Sequence, residues 1–113
     1  MKNLESKLQI FCVKLFRLKY PKLILFAIPN GGQRNLITAS ILKAEGTTSG
    51  VPDLFLAYPK GNFAGLFIEM KSEKGVVQPS QKEMMQKLSD AGYKCVICRT
   101  VDDFTNEIEN YLK

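Results

Sequence analysis

A chain of 113 residues, 45% of them apolar, has room for one modest core and is too hydrophobic to remain disordered. Sixteen Lys/Arg against eleven Asp/Glu leave a net charge of +5, which suits a polyanionic partner without proving one. The absence of histidine excludes imidazole general bases, His-ligated zinc and Ser-His or Cys-His catalysis, so any hydrolysis must run on carboxylates, lysine and metal.

Residues 3–19 carry Leu4, Leu8, Phe11, Leu15 and Leu18 at spacings of three and four, which predicts an amphipathic helix ending ahead of Pro21. Its first residues alternate charged and apolar side chains, unlike a signal peptide. The longest apolar run, 23–28, is far short of the roughly 20 residues of a membrane span. A cytoplasmic protein with no membrane partner and no organic cofactor is therefore expected. The 23–28 run reads as a buried strand, stopped by Pro29-Asn30-Gly31-Gly32. Residues 35–45 form a second predicted helix, with Gly46 placed as its left-handed terminal residue.

Two strands, 54–58 and 64–71, follow around the turn residues Pro59-Lys60-Gly61-Asn62. A third helix spans 80–91, opened by Pro79 and closed by Gly92, and 93–99 is the last strand. Thr100 caps a final helix, with Asp103 three residues on in a capping-box position. The order αβαββαβα across a single domain, 1–113, predicts an α/β fold with a small mixed sheet flanked by helices. The middle strands should pair antiparallel, and the last strand, arriving after a helix, can lie parallel to a neighbour.

Cys12, Cys95 and Cys98 are an odd number in a chain without a secretory signal, so reduced thiols are expected. Cys95 and Cys98 form a CxxC inside the strand-like KCVICR, where positions three apart face opposite sides. With no second pair and no histidine, core packing explains them better than zinc.

The chemistry concentrates between Gly50 and Lys71. Alternation puts Phe67, Glu69 and Lys71 on one face of their strand, with Leu66, Ile68 and Met70 on the other. If Tyr58 and Ala64 flank the turn, Asp53 falls opposite Glu69 within a residue. Two acids and a lysine then meet at one end of an apolar hairpin, where unpaired charge is expensive. A hard divalent cation would relieve the repulsion between the acids, polarise a phosphate and activate water, and Lys71 could orient that water or balance the transition-state charge. Read alone, the same residues also fit a surface Glu-Lys pair worth about 0.2–1 kcal/mol.

Four collinear stretches decide between these. IPNGGQR, LKAEGTTSGVPDLFLAYPKG, GLFIEMKSEKG and LSDAGYKCVICR, with a PSQ opening the third helix, resemble the VRR-NUC family of virus-type replication-repair nucleases, a branch of the PD-(D/E)XK phosphodiesterases. The resemblance runs from about residue 28 to 111. It implies a restriction-endonuclease-like core, Mg²⁺ or Mn²⁺ dependence and DNA cleavage, with Asp53, Glu69 and Lys71 as the catalytic trio and the Met70 carbonyl as a metal ligand. Gln81 takes the family's glutamine position, to hold Lys71 or the scissile phosphate. Glu5, the only acid before Glu45, matches the acid that related nucleases place on the first helix; a solvated first-turn glutamate is its alternative. Asn30, Gly31 and Gly32 would shape a loop beside the cleft, and Arg34 and Lys74 would contact phosphates. One departure is Gln78, which stands where the family tends to have a capping serine.

The expectation is a stand-alone, phage-type DNA endonuclease, acting in the host cytoplasm if phage-encoded. It would be a homodimer offering two sites to branched DNA such as four-way junctions. Its rivals are a nucleic-acid-binding module with the nuclease fold but no turnover, and a partner-binding scaffold in which Glu69 and Lys71 merely pair.

Overall fold

A computed structural model describes residues 2–29 and 36–113, with side chains from residue 4 onward. Among these residues four helices and four strands follow the expected order: α1 (Lys2–Lys19), β1 (Leu25–Ala27), α2 (Leu36–Ala44), β2 (Leu54–Leu56), β3 (Leu66–Met70), α3 (Pro79–Asp90), β4 (Lys94–Cys98) and α4 (Val101–Leu112). The strands form one sheet in the order β1-β2-β3-β4. The first two pairings are antiparallel, while β3 and β4, joined by the α3 crossover, run parallel. None of the described helices is long and apolar enough to cross a membrane.

One sheet face carries the core. Leu54, Leu56, Leu66, Ile68, Met70 and Cys98 are all essentially inaccessible, packed with Cys12 and Phe16 of α1 and Phe104, Ile108 and Tyr111 of α4. Alternation sends Phe67, Glu69 and Cys95 to the opposite face, where α3 lies and the Cys95 thiol donates to the Met85 carbonyl at 3.7 Å. Cys98 is thus in the core and Cys95 beneath α3, as the CxxC reading expects, and burial raises their thiols to about 12 and about 11. Neither is a nucleophile at neutral pH.

The helix α1 turns a different stripe inward from the one its leucines suggest. Leu4, Phe11, Leu15 and Leu18 are exposed, and the buried line is Cys12–Phe16, preceded by half-buried Leu8 and Glu5. The sequence is apolar on two sides of this helix, and the small Cys12 is fully buried in the core on the side that meets the sheet. The consequence is functional: Glu5 lies at the head of the inward line. β1 is also shorter than expected, since the Leu23 N–H is taken by a turn to Tyr20 O at 3.1 Å, and β2 and β3 likewise fall short of the expected 54–58 and 64–71.

Helix ends behave as read. Gly46 has φ +112°, closing α2. Thr100 Oγ1 accepts from Asp103 N–H at 3.0 Å, and Asp103 Oδ2 accepts from Arg99 N–H at 2.9 Å, so the two residues cap α4 together. The N-cap of α3 is Gln78, extended at φ −73° and ψ 155°, followed by a proline at N1.

The loop before β2 is locked onto α3 at Gly50. Its φ is +88°, and a Cβ there would lie 2.5 Å from Ser80 O and 2.9 Å from Ser80 C, backbone atoms that cannot swing aside. Gly50→Ala should therefore destabilise the protein by about 2–3 kcal/mol, strain and steric clash adding, measured by urea denaturation. A loss below about 0.5 kcal/mol would show that the loop is not held there.

Candidate active site

The register fixes the heart of the site. Leu54 pairs with Ile68, so the next pair outward is Asp53 with Glu69, and beyond it Pro52 faces Met70. Pro52 cannot continue the ladder as a donor, and β2 has already ended. The Asp53 side chain takes over: its Oδ2 accepts the Met70 N–H at 2.8 Å. The aspartate is therefore anchored to β3 at the point where its carboxylate meets that of Glu69.

Glu69 is 2% exposed, an unusual place for a carboxylate. One oxygen, Oε2, accepts from Gln81 Nε2 at 2.9 Å and lies 3.7 Å from Lys71 Nζ. The other, Oε1, is buried with no hydrogen-bond partner. Burial first, then the Asp53 charge and that of Glu5, push the Glu69 carboxyl up to about 7, against the opposing pull of Lys71. Lys71 is 7% exposed, and its main chain is fixed by donating to Cys98 O at 3.0 Å.

Gln81 belongs to this group through two bonds. While Nε2 holds Glu69, its Oε1 accepts Gln78 N–H at 2.8 Å, supplying half of a capping box for α3. The Gln78 departure is thus compensated from the third helical position, and the glutamine meets Glu69 rather than Lys71. The shared capping bond orients its amide so that the nitrogen faces the carboxylate.

These groups open into a cleft of about 680 Å³, bounded by α2 on one side and the start of α3 on the other. Glu5, Asp53, Glu69, Lys71 and Gln81 all line it. The cleft walls add Lys43, Thr47, Thr48 and Ser80, which sequence reasoning did not single out; scattered hydroxyls carry no spacing signal. Lys74 is exposed on the turn after Lys71. Asn30, Gly31, Gly32 and Arg34 lie outside the described residues.

The donor set suits a hard cation. Two carboxylates are opposed in register, they repel each other, and a buried oxygen lacks a partner. Among the described residues no three His, Cys, Asp or Glu side chains gather as a metal-binding group; Glu5 lines the same cleft and its charge adds to the upward push on Glu69.

Comparison with known proteins bears on the family and the fold. The family model of the VRR-NUC domain matches residues 5–102. A solved structure of a VRR_NUC domain protein is similar in fold, with a TM-score of 0.79 at 24% identity, covering 96% of this chain and 87% of that one. None of the curated proteins matches.

Proposed function

The chain belongs to the VRR-NUC domain family, a nuclease-type family whose substrates are nucleic acids, and from that premise we propose that it is a Mg²⁺- or Mn²⁺-dependent DNA endonuclease selective for branched DNA. The observation that carries the chemistry is the orphaned Glu69 Oε1, buried beside Asp53 and Lys71. A buried carboxylate oxygen without a partner costs about 1–3 kcal/mol or more unless something positive completes it.

Asp53, Glu69 and the Met70 carbonyl would hold the cation, with Glu5 reaching it through water. When bound, the ion supplies Lewis acidity toward the phosphate and acidifies water at neutral pH. The chain's own residues do the rest. Asp53 stays in place through Met70 N–H. Gln81 occupies Glu69 Oε2 and so leaves Oε1 as the oxygen that would serve a cation. Lys71, almost fully enclosed, directs its ammonium at the attacking water or the phosphate oxygens, where its charge is only weakly screened.

Cleavage of a labelled four-way junction and of matched linear duplex, in Mg²⁺, Mn²⁺ and EDTA, tests the proposal. Metal-dependent cutting of the junction in preference to the duplex is expected. Equal cutting would remove the branch selectivity, and tight binding without cutting would point instead to a non-catalytic binding module.

Gln81 gives a second test. Gln81→Ala loses both the cap bond and the tether, lowering stability by about 1 kcal/mol and kcat by roughly 10–100-fold. Gln81→Glu keeps the acceptor for Gln78 N–H but turns a carboxylate toward Glu69, so activity should fall as far while the cap survives. Single-turnover cleavage with urea denaturation separates the two effects; a fully active Gln81→Glu would refute the tether.

A homodimer fits the surface. The α2 helix buries none of its residues, and its Leu36, Ile37 and Ile41 are exposed at 86%, 74% and 53%. Sedimentation equilibrium should give twice the chain mass, and Ile37→Lys with Ile41→Lys should give monomers. A wild-type monomer at micromolar concentration would exclude this pairing.

A further inference from the structure

Three main-chain carbonyls of the turn after Lys71 converge on one side-chain nitrogen. Arg99, the residue following β4, sets its Nη1 2.7 Å from Gly75 O, 2.9 Å from Ser72 O and 3.3 Å from Glu73 O. That nitrogen carries two hydrogens, so the two short contacts are full bonds and the third is shared. The turn also closes on itself, Gly75 N–H donating to Ser72 O at 3.0 Å.

The base of this clamp is fixed from both sides. Arg99 N–H donates to Asp103 Oδ2 at the start of α4, and Cys98 O accepts the Lys71 N–H. The guanidinium and the main chain of Lys71 are therefore held to the same end of β4.

The turn backs two side chains that line the cleft, Glu5 and Lys71. A Cβ on Gly75 would come 3.1 Å from Glu5 Oε2 and 3.4 Å from Lys71 Cδ, so both side chains lie against bare main chain there. The Lys71 ammonium, 3.7 Å from Glu69 Oε2, is too distant for a full hydrogen bond. A lysine stem has four carbons and freely rotating bonds, and packing of its Cδ against the Gly75 main chain limits that freedom. Converging carbonyl dipoles, in turn, need a positive centre or they repel one another.

We propose that Arg99 is a positioning residue of the site: an internal cation that gathers the 72–75 turn and thereby holds the Lys71 and Glu5 side chains in the cleft. The proposal rests on the nuclease reading of Lys71. It separates Arg99, which touches no substrate, from the groups that do.

Arg99→Ala tests it by steady-state cleavage of labelled DNA and by amide exchange. The expected result is a roughly 10–100-fold fall in kcat, as for other groups that orient catalytic residues, with KM within about twofold of wild type. Millimolar guanidinium chloride should restore much of kcat by entering the vacated carbonyl pocket, whereas equal NaCl should not. An unchanged kcat would overturn the proposal, as would a loss that tracks the unfolded fraction and resists guanidinium. Should the wild-type protein cleave nothing, the nuclease reading fails by itself. The clamp is then judged on Gly75 N–H, whose exchange protection should drop in Arg99→Ala; unchanged protection there would overturn it.

Discussion

Asp53→Asn should leave the fold standing and stop cleavage. The aspartate has two jobs, and the substitution separates them. Its Oδ2 accepts the Met70 N–H at 2.8 Å, beyond the last pair of the β2–β3 ladder, and an asparagine oxygen can accept the same bond. The amide carries no charge and cannot serve as an anionic ligand opposite Glu69. Stability should therefore stay within about 1 kcal/mol, while cleavage falls by roughly a thousandfold or more, the scale expected when a group stabilising transition-state charge is lost. Asp53→Ala is the contrast: it also orphans the part-buried Met70 N–H and should cost about 1–3 kcal/mol of stability.

Lys71→Ala belongs beside it. Lys71 is the positive neighbour that pulls the Glu69 carboxyl down, so its removal leaves a buried carboxyl with acids near it and no compensating charge. Cleavage should fall by roughly 10²–10³-fold, and the Glu69 carboxyl should move further upward. Circular dichroism and single-turnover cleavage decide both variants. Near-wild-type cleavage by either one would remove that residue from the proposed machinery.

The hairpin of the site was legible because two simple rules determine it. Side chains alternate along a strand, and the register assumed from a Tyr58–Ala64 pair is the one seen at Leu54–Ile68, although the ladder itself stops at Leu56 and Leu66 and only Lys60 and Phe63 bridge beyond it. The Thr100–Asp103 cap and the Gly46 helix end were legible for a similar reason, being local chemistry at fixed spacing. The inward face of α1 was not. Leu8–Cys12–Phe16 and Leu4–Phe11–Leu15–Leu18 both have helical spacing, and only the neighbouring sheet chooses between them.

Two further features were hidden because they depend on tertiary approach. Gln81 could be placed on α3, but nothing in its neighbourhood says that its amide spans from Gln78 N–H to Glu69. Arg99 is a single arginine after an apolar strand, and its three carbonyl partners lie 24–27 residues away in sequence. Such groups appear only when the turn and the strand end are seen side by side.

Glu69→Gln should make the metal-free protein more stable at pH 8 while abolishing cleavage. The Glu69 carboxyl is raised from 4.5 to about 7, so the folded chain holds a proton there that the unfolded chain releases. The sign follows directly. Stability associated with protonated Glu69 is fully present below about pH 4.5, falls as pH rises, and is lost once pH passes about 7. At roughly 1.4 kcal/mol per unit, the loss amounts to about 3 kcal/mol. Glutamine is uncharged at every pH, so the variant should show no such decline between pH 5 and 8. Urea denaturation in EDTA across that range measures it; parallel pH profiles for wild type and variant would show that Glu69 titrates normally. Mg²⁺ should act unequally on the two proteins. Wild type should gain stability with metal, because on the proposed function the ion would bind only the folded acid pair, by about 2.7 kcal/mol at a hundred times Kd, and should release a proton on binding below pH 7. The variant, with its buried oxygen no longer anionic, should gain little. A site that weakens its own fold until a cation arrives is what two opposed acids and an unpartnered oxygen imply.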